Sequence, residues 1–83
     1  MSRDLAIQLS KIYKLEKDKK RPVYLAELSS NGVCSVHRAK GLIEDLLKDY
    51  SIEELSIRGS NAYTVTIIGK AHIESYIDLK REM

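Results

Sequence analysis

The sequence contains no tryptophan and no phenylalanine, and it has one cysteine, Cys34, and one proline, Pro22. A single cysteine cannot form an internal disulfide, and no spacing of cysteine and histidine supplies the roughly four ligands of a structural zinc site. No stretch approaches the ~20 apolar residues that cross a membrane, and the N-terminus lacks the apolar core of a secretory signal. These absences argue against secreted and membrane proteins and predict a cytoplasmic protein, in the host cytoplasm if the chain is viral.

Catalytic patterns are also missing from the sequence. There is no glycine-rich phosphate loop, and no pairing of Ser with His, of Cys with His or of two carboxylates follows from the spacing. We therefore expect no enzymatic activity, no metal and no cofactor.

The chain is short and nearly neutral, with 83 residues and a formal net charge of +2. We expect a single domain, residues 1–83, that buries only ~60 to 65% of the surface of its unfolded chain, so a second copy would help to complete its core. With so little net charge, any surface for a polyanion must come from local clustering of charge.

Residues 31–50 predict a tight turn followed by an amphipathic helix whose first half is basic and whose second half is acidic. Ser35 is suited to cap this helix because its hydroxyl can accept a hydrogen bond from a free backbone amide. Three- and four-residue spacing predicts an apolar face formed by Val36, Ala39, Leu42, Ile43, Leu46, Leu47 and Tyr50. The opposite side carries His37, Arg38, Lys40, Glu44, Asp45 and Lys48.

Further elements flank this helix on both sides. The first helix is expected at about residues 3–16, capped by Ser2 or Asp4, and a short second helix at residues 24–29 buries Leu25, Ala26 and Leu28. Alternatively, Val23 and Tyr24 form a short strand before it. Alternation of apolar and polar residues predicts two strands joined by a turn at residues 58–61. Thr66 then caps a last helix at about residues 67–81, along one side of which lie Ile68, Ala71, Ile73, Tyr76, Ile77 and Lys80.

The resulting fold class is mainly α with a β-hairpin, in the order α-α-α-β-β-α, and this order resembles the winged helix-turn-helix family of DNA-binding proteins. Leu25-Ala26-Glu27-Leu28 is similar to the family's second helix, and residues 35–47 are similar to its recognition helix. Tyr63-Thr64-Val65-Thr66 followed by Gly69-Lys70 resembles the family's Y-x-L-T-x-x-G-K passage. The leading and trailing helices resemble those of small MarR-like and PadR-like transcriptional regulators of archaea and archaeal viruses.

This resemblance implies a helix-turn-helix at about residues 24–49, a wing at about 54–67, and a homodimer that binds double-stranded DNA. Arg38 is the residue expected to read guanine, because its planar group can donate two parallel hydrogen bonds to O6 and N7. The implied DNA-binding residues are Ser35, His37, Arg38, Lys40, Gly41, Arg58, Ser60 and Asn61. The implied dimer interface is formed by Leu5, Leu9, Ile12, Ile73, Tyr76 and Ile77.

Two departures from the family pattern keep other interpretations open. The recognition helix ends in Asp49-Tyr50-Ser51 where the family usually has glycine, and Arg58 is the only firm cation of the wing. A winged helix that contacts proteins rather than DNA is the main alternative, and a plasmid or viral replication protein is a weaker one. Cys34 is interpreted as a small buried apolar residue, with a redox role as the alternative.

Overall fold

The computed structural model describes the backbone of residues 1–82 and the side chains of residues 1–76. Over this part of the chain, four helices and three strands give an α+β fold, as the sequence predicted. The helices are α1 (Arg3–Lys19), α2 (Leu25–Ser30), α3 (Val36–Lys48) and α4 (Ile67–Glu82). The strands are β1 (Val23–Tyr24), β2 (Ile52–Ile57) and β3 (Ser60–Val65).

The strands form one antiparallel sheet in the order β1-β3-β2. The register of the β2–β3 hairpin pairs Ile52 with Val65 at its base and Ile57 with Ser60 at its tip. Arg58 and Gly59 form the turn, with φ angles of 51° and 79°, and two successive positive φ angles are typical of the type I′ hairpin turn. The predicted four-residue turn is therefore too long, since Ser60 and Asn61 already belong to β3.

Helix α1 begins at the predicted place and runs three residues past its predicted end. Ser2 caps it, because its hydroxyl accepts a hydrogen bond from the Leu5 amide at 3.2 Å. Lys20 then leaves the helix in a left-handed conformation, with φ at 56°. Leu9 and Ile12 are completely buried and anchor the helix in the core.

Only one residue of α2, Leu28, is buried. The prediction that Leu25 and Ala26 are buried is wrong, because Leu25 is 37% exposed and Ala26 is also exposed. A six-residue helix packed on one side turns few of its residues inward. The alternative of a short strand at Val23–Tyr24 is confirmed, since these residues pair with Tyr63 and Ala62.

Helix α3 is capped by Ser35 as predicted, with its hydroxyl 3.2 Å from the Arg38 amide. Its buried side is formed by Ala39, Leu42, Ile43 and Leu46. Val36 and Tyr50 were also predicted on this face, but they are 73% and 71% exposed. Val36 is the first residue of the helix, and Tyr50 lies past its end, where the helical period no longer sets the direction of a side chain.

The end of α3 needs no glycine because Tyr50 takes the left-handed conformation itself, with φ at 61°. The Tyr50 amide donates to the Leu47 carbonyl at 3.2 Å, and the Ser51 amide donates to the Leu46 carbonyl at 3.0 Å. This pair of bonds is the Schellman arrangement that usually ends in glycine.

Helix α4 is capped by Thr66 as predicted, with the Gly69 amide donating to the threonine hydroxyl at 3.0 Å. It packs on α1 and on β3, and Ile73 is its buried anchor. Ile68 and Ala71 were predicted on the same side as Ile73, but Ile68 is 48% exposed and Ala71 is exposed, because no other element covers that part of the described helix. The side chains of Ile77 and Lys80 lie outside the described residues.

Ser51 joins the end of α3 to the start of α4. Its side chain is completely buried, and its hydroxyl is 2.9 Å from Nδ1 of His72. Its carbonyl accepts hydrogen bonds from the Thr66 amide at 3.0 Å and from the Thr66 hydroxyl at 3.1 Å. These contacts of Ser51, together with the hydrogen bond from the Thr66 hydroxyl to the Tyr50 carbonyl at 2.5 Å, hold the end of α3 against the start of α4.

Candidate nucleic-acid interface

The first turns of α3 form an exposed polar surface on a well-packed helix. Ser35, His37, Arg38 and Lys40 are all exposed, and Gly41 is half-buried. The buried residues on the other side of the same helix hold it against the core, so the exposed side chains stand on a rigid support. The structure thus brings together the five predicted site residues of α3.

Arg38 does not extend freely into solvent. Its Nη2 donates to Oδ2 of Asp45 at 3.2 Å, and the side chains of the two residues are 43% and 44% exposed. The two residues are seven positions apart, which is ~10 Å along a helix axis. The guanidinium therefore lies back along α3, over Gly41, where a β-carbon would be 3.2 Å from Nη1 of Arg38.

A shallow groove runs between this part of α3 and the N-terminal half of α1. It has a volume of about 410 Å³ and is lined by Asp4, Ile7, Gln8, Lys11, Val33 and Arg38. Lys11 is exposed, so it adds a second cation beside Arg38 at this edge of the surface. Sequence spacing gave no signal for Lys11, because only the tertiary packing of α1 brings it next to α3.

The hairpin places the other three predicted site residues at its tip. Arg58 lies in the turn, and Ser60 and Asn61 are exposed on β3. The neighbouring strand β2 exposes Glu53 and Glu54, so the hairpin carries more acidic than basic side chains. The hydroxyl of Tyr63 donates to Oε1 of Glu54 at 3.1 Å, and burial together with this carboxylate raises the pKa of Tyr63.

Two cations near the junction of α1 and α2, Lys19 and Arg21, are held by a protein carboxylate. Arg21 makes a two-point contact with the Glu27 carboxylate at 2.7 and 2.8 Å, and Nζ of Lys19 is 3.7 Å from Oε2 of Glu27. The same carboxylate accepts a hydrogen bond from the Tyr24 amide at 3.0 Å. These contacts, led by Arg21, lower the pKa of Glu27 to about 2. Glu27 thus stabilises the start of α2 by binding Arg21 and the Tyr24 amide.

Three residues of the predicted dimer interface are used inside the chain. Leu9 and Ile12 are 0% exposed and Ile73 is 7% exposed, so their side chains belong to the core and are closed to a second copy. Leu5 is half-buried against that core. The Tyr76 hydroxyl accepts a hydrogen bond from Nε of Arg3 at 3.1 Å, and the Ile77 side chain lies outside the described residues.

Cys34 is half-buried and packs against the core. Burial raises the pKa of its thiol, and the nearby charge of Arg38 acts weakly in the opposite direction. A raised pKa disfavours the reactive thiolate. The environment of Cys34 thus favours the interpretation as a small apolar residue over a redox role.

The described part of the chain contains neither a cluster of metal ligands nor a membrane-spanning helix. Within it, no group of three or more His, Cys, Asp and Glu side chains could hold a metal ion. No described helix has the length and apolar character needed to cross a membrane. No family model, no curated protein and no solved structure matches the chain.

Proposed function

We propose that this protein is a winged helix-turn-helix protein that binds double-stranded DNA, with α3 in the major groove and the β2–β3 hairpin as the wing. The observation that carries the proposal is the exposed basic start of α3, where His37, Arg38 and Lys40 stand on a helix whose other side is packed into the core. Recognition helices read base edges chiefly with their N-terminal residues.

Each residue of this surface has a proposed role. Arg38 reads guanine through two parallel hydrogen bonds, and Lys40 contacts phosphate as a point charge. Ser35 and His37 donate to base edges or to phosphate. Gly41 leaves room for a close approach of the helix to DNA. Arg58, with Ser60 and Asn61, contacts the sugar-phosphate backbone from the hairpin.

The proposal includes a homodimer that acts in transcription regulation. The core uses Leu9, Ile12 and Ile73, so a dimer through α1 and α4 must rest on what these helices leave exposed, such as Ile67 and Ile68, which are 84% and 48% exposed. A two-fold dimer presents two α3 helices and so favours a pseudo-palindromic site.

Selection of bound sequences from a random duplex pool, followed by salt titration of the selected duplex, tests the proposal. We expect a palindromic consensus and binding that weakens steeply as salt rises from about 50 to 200 mM, because phosphate contacts release counterions. Absence of binding at low micromolar protein and low salt would contradict the proposal.

The contribution of Arg38 can be separated from that of general charge. Arg38→Ala should relax the base preference at one position of each half-site, which corresponds to ~1 to 3 kcal/mol of discrimination. Lys14→Ala removes one exposed charge from α1 and serves as the matched control. It should leave the base preference unchanged. An unaltered consensus sequence for Arg38→Ala would show that Arg38 does not read a base.

A protein-binding module is the second candidate function. It is favoured by the acidic hairpin, where Glu53 and Glu54 are exposed, and by the exposed apolar side chains of Tyr50 and Ile67. Carboxylates on the wing repel phosphate, whereas exposed apolar side chains suit a protein partner. Under this function, the salt titration finds no duplex binding at any salt concentration.

A further inference from the structure

The side chain best suited to read a base is bound to its own helix. Nη2 of Arg38 donates to Oδ2 of Asp45 at 3.2 Å, and Gly41 lies beneath the guanidinium. A β-carbon at position 41 would be 3.2 Å from Nη1 of Arg38, so a side chain there would require the guanidinium to shift by a few tenths of an ångström. An arginine that reads guanine must instead extend away from its helix and direct two N–H groups at O6 and N7.

We infer that Asp45 is a positioning residue that holds Arg38 in a resting position and competes with DNA for its guanidinium. The inference rests on the proposed DNA binding and adds a residue that sets the affinity of the same surface. Asp45 lies one turn beyond Gly41, on the flank of α3 that carries Arg38. When DNA binds, Arg38 therefore leaves the Asp45 carboxylate and takes a guanine edge or a phosphate as its new partner.

The size of the effect follows from the exposure of the pair. Both side chains are more than two-fifths exposed, at 43% and 44%, so the ion pair is of the weak surface kind. Pairs of this kind correspond to a factor of about 1.5 to 5 in an equilibrium constant. Loss of Asp45 should tighten duplex binding by that factor, because Arg38 no longer has to leave a carboxylate.

The test compares Asp45→Asn with Glu44→Gln, measured by fluorescence anisotropy on one labelled duplex at several salt concentrations. Glu44 is the neighbouring residue of α3 and is exposed, so both substitutions remove one negative charge from the same helix. We expect Asp45→Asn to bind up to about fivefold more tightly than Glu44→Gln. This difference should vanish when both substitutions are made in Arg38→Ala, since the effect acts through Arg38.

A measurement without DNA reports the contact itself. The side-chain Nε–H resonance of Arg38 should shift in Asp45→Asn and stay close to its wild-type position in Glu44→Gln. Asp45→Glu keeps the charge and should restore binding close to that of the wild-type protein.

The outcomes separate the inference from the proposed function. If the wild-type protein binds duplex but Asp45→Asn and Glu44→Gln bind equally well, competition by Asp45 is refuted and DNA binding stands. The same holds if the difference persists in the Arg38→Ala background. If none of the proteins binds duplex at about 50 mM salt, DNA binding is refuted, and the competition for Arg38 is refuted with it.

Discussion

Gly69 in the first turn of α4 provides a sharp test of the packing between α3 and α4. A β-carbon at this position would be 2.1 Å from the Ser51 carbonyl oxygen, 3.0 Å from its carbonyl carbon and 2.9 Å from Cγ1 of Val65. The Ser51 atoms belong to the backbone, so no rotation of a side chain can make room. Gly69→Ala must therefore move the start of α4 away from the end of α3.

The expected loss of stability combines three contributions. Overpacking costs ~1 to 3 kcal/mol, and weakening the hydrogen bonds from Thr66 to the Ser51 carbonyl costs ~1 kcal/mol more. Alanine gains up to ~1 kcal/mol over glycine in a helix. Gly69→Ala should thus lower the free energy of unfolding by ~1 to 3 kcal/mol, a large part of the ~4 to 12 kcal/mol typical of a domain this size.

Gly41→Ala is the matched control, because it makes the same change at a half-buried helical position that no backbone atom of another element crowds. There a β-carbon meets only the flexible end of Arg38, at 3.2 Å from Nη1. The gain in helix propensity should raise the free energy of unfolding by ~0.5 to 1 kcal/mol.

Urea denaturation followed by far-ultraviolet circular dichroism measures both variants. With a slope of about 1 kcal/mol per molar urea, the midpoint should fall by about 1 to 3 M for Gly69→Ala and rise by up to about 1 M for Gly41→Ala. Equal midpoints for the two variants would show that α4 does not pack on Ser51 as described.

Two further predictions concern Tyr50 and Glu27. Tyr50→Gly should raise the free energy of unfolding, measured by thermal denaturation, by ~0.5 to 1 kcal/mol. Glycine adopts the left-handed φ of 61° without strain, and removal of the 71% exposed ring costs little packing. Tyr50→Ala keeps the backbone strain, so an equal gain in stability from Tyr50→Ala would contradict this account. Glu27→Gln should cost ~1 to 2 kcal/mol at pH 7, because the carboxylate is held by Arg21 and the Tyr24 amide. The pKa of Glu27 is lowered to about 2 in the folded state, so its stabilising effect is complete above its ordinary pKa and is lost as the pH falls from about 5 to about 2. The urea midpoints of the wild-type protein and Glu27→Gln should therefore converge as the pH falls over that range. If the two midpoints instead change in parallel with pH, the Glu27 carboxylate is not the cause of the difference in stability.

Much of the secondary structure could be predicted because its signals are local. Ser2, Ser35 and Thr66 cap their helices, since a hydroxyl next to free amides needs no distant partner. The change from helical to alternating periodicity after Tyr50 marked the hairpin, and Gly59 marked its turn.

Burial at the ends of the helices could not be predicted in the same way. Val36, Ile68 and Ala71 fit the apolar period, yet each is exposed. Periodicity states which side of a helix is apolar, but only a neighbouring element decides how much of that side is covered. Beyond the end of a helix, the direction of a side chain depends on the local backbone conformation and no longer on the helical period. The ring of Tyr50 is exposed for this reason.

The candidate site at the start of α3 also has features that the sequence predicted and features that depend on tertiary packing. The sequence alone determined that Ser35, His37, Arg38, Lys40 and Gly41 share the exposed start of one helix, because capping and helical spacing are set within a few residues. Only the tertiary structure decided that α1 brings Lys11 beside Arg38 and that Leu9, Ile12 and Ile73 belong to the core. The side-chain conformation of Arg38 was likewise not set by its position in the helix, since the guanidinium can point to solvent or to Asp45. The open space above Gly41 and the carboxylate of Asp45 decide between these two directions.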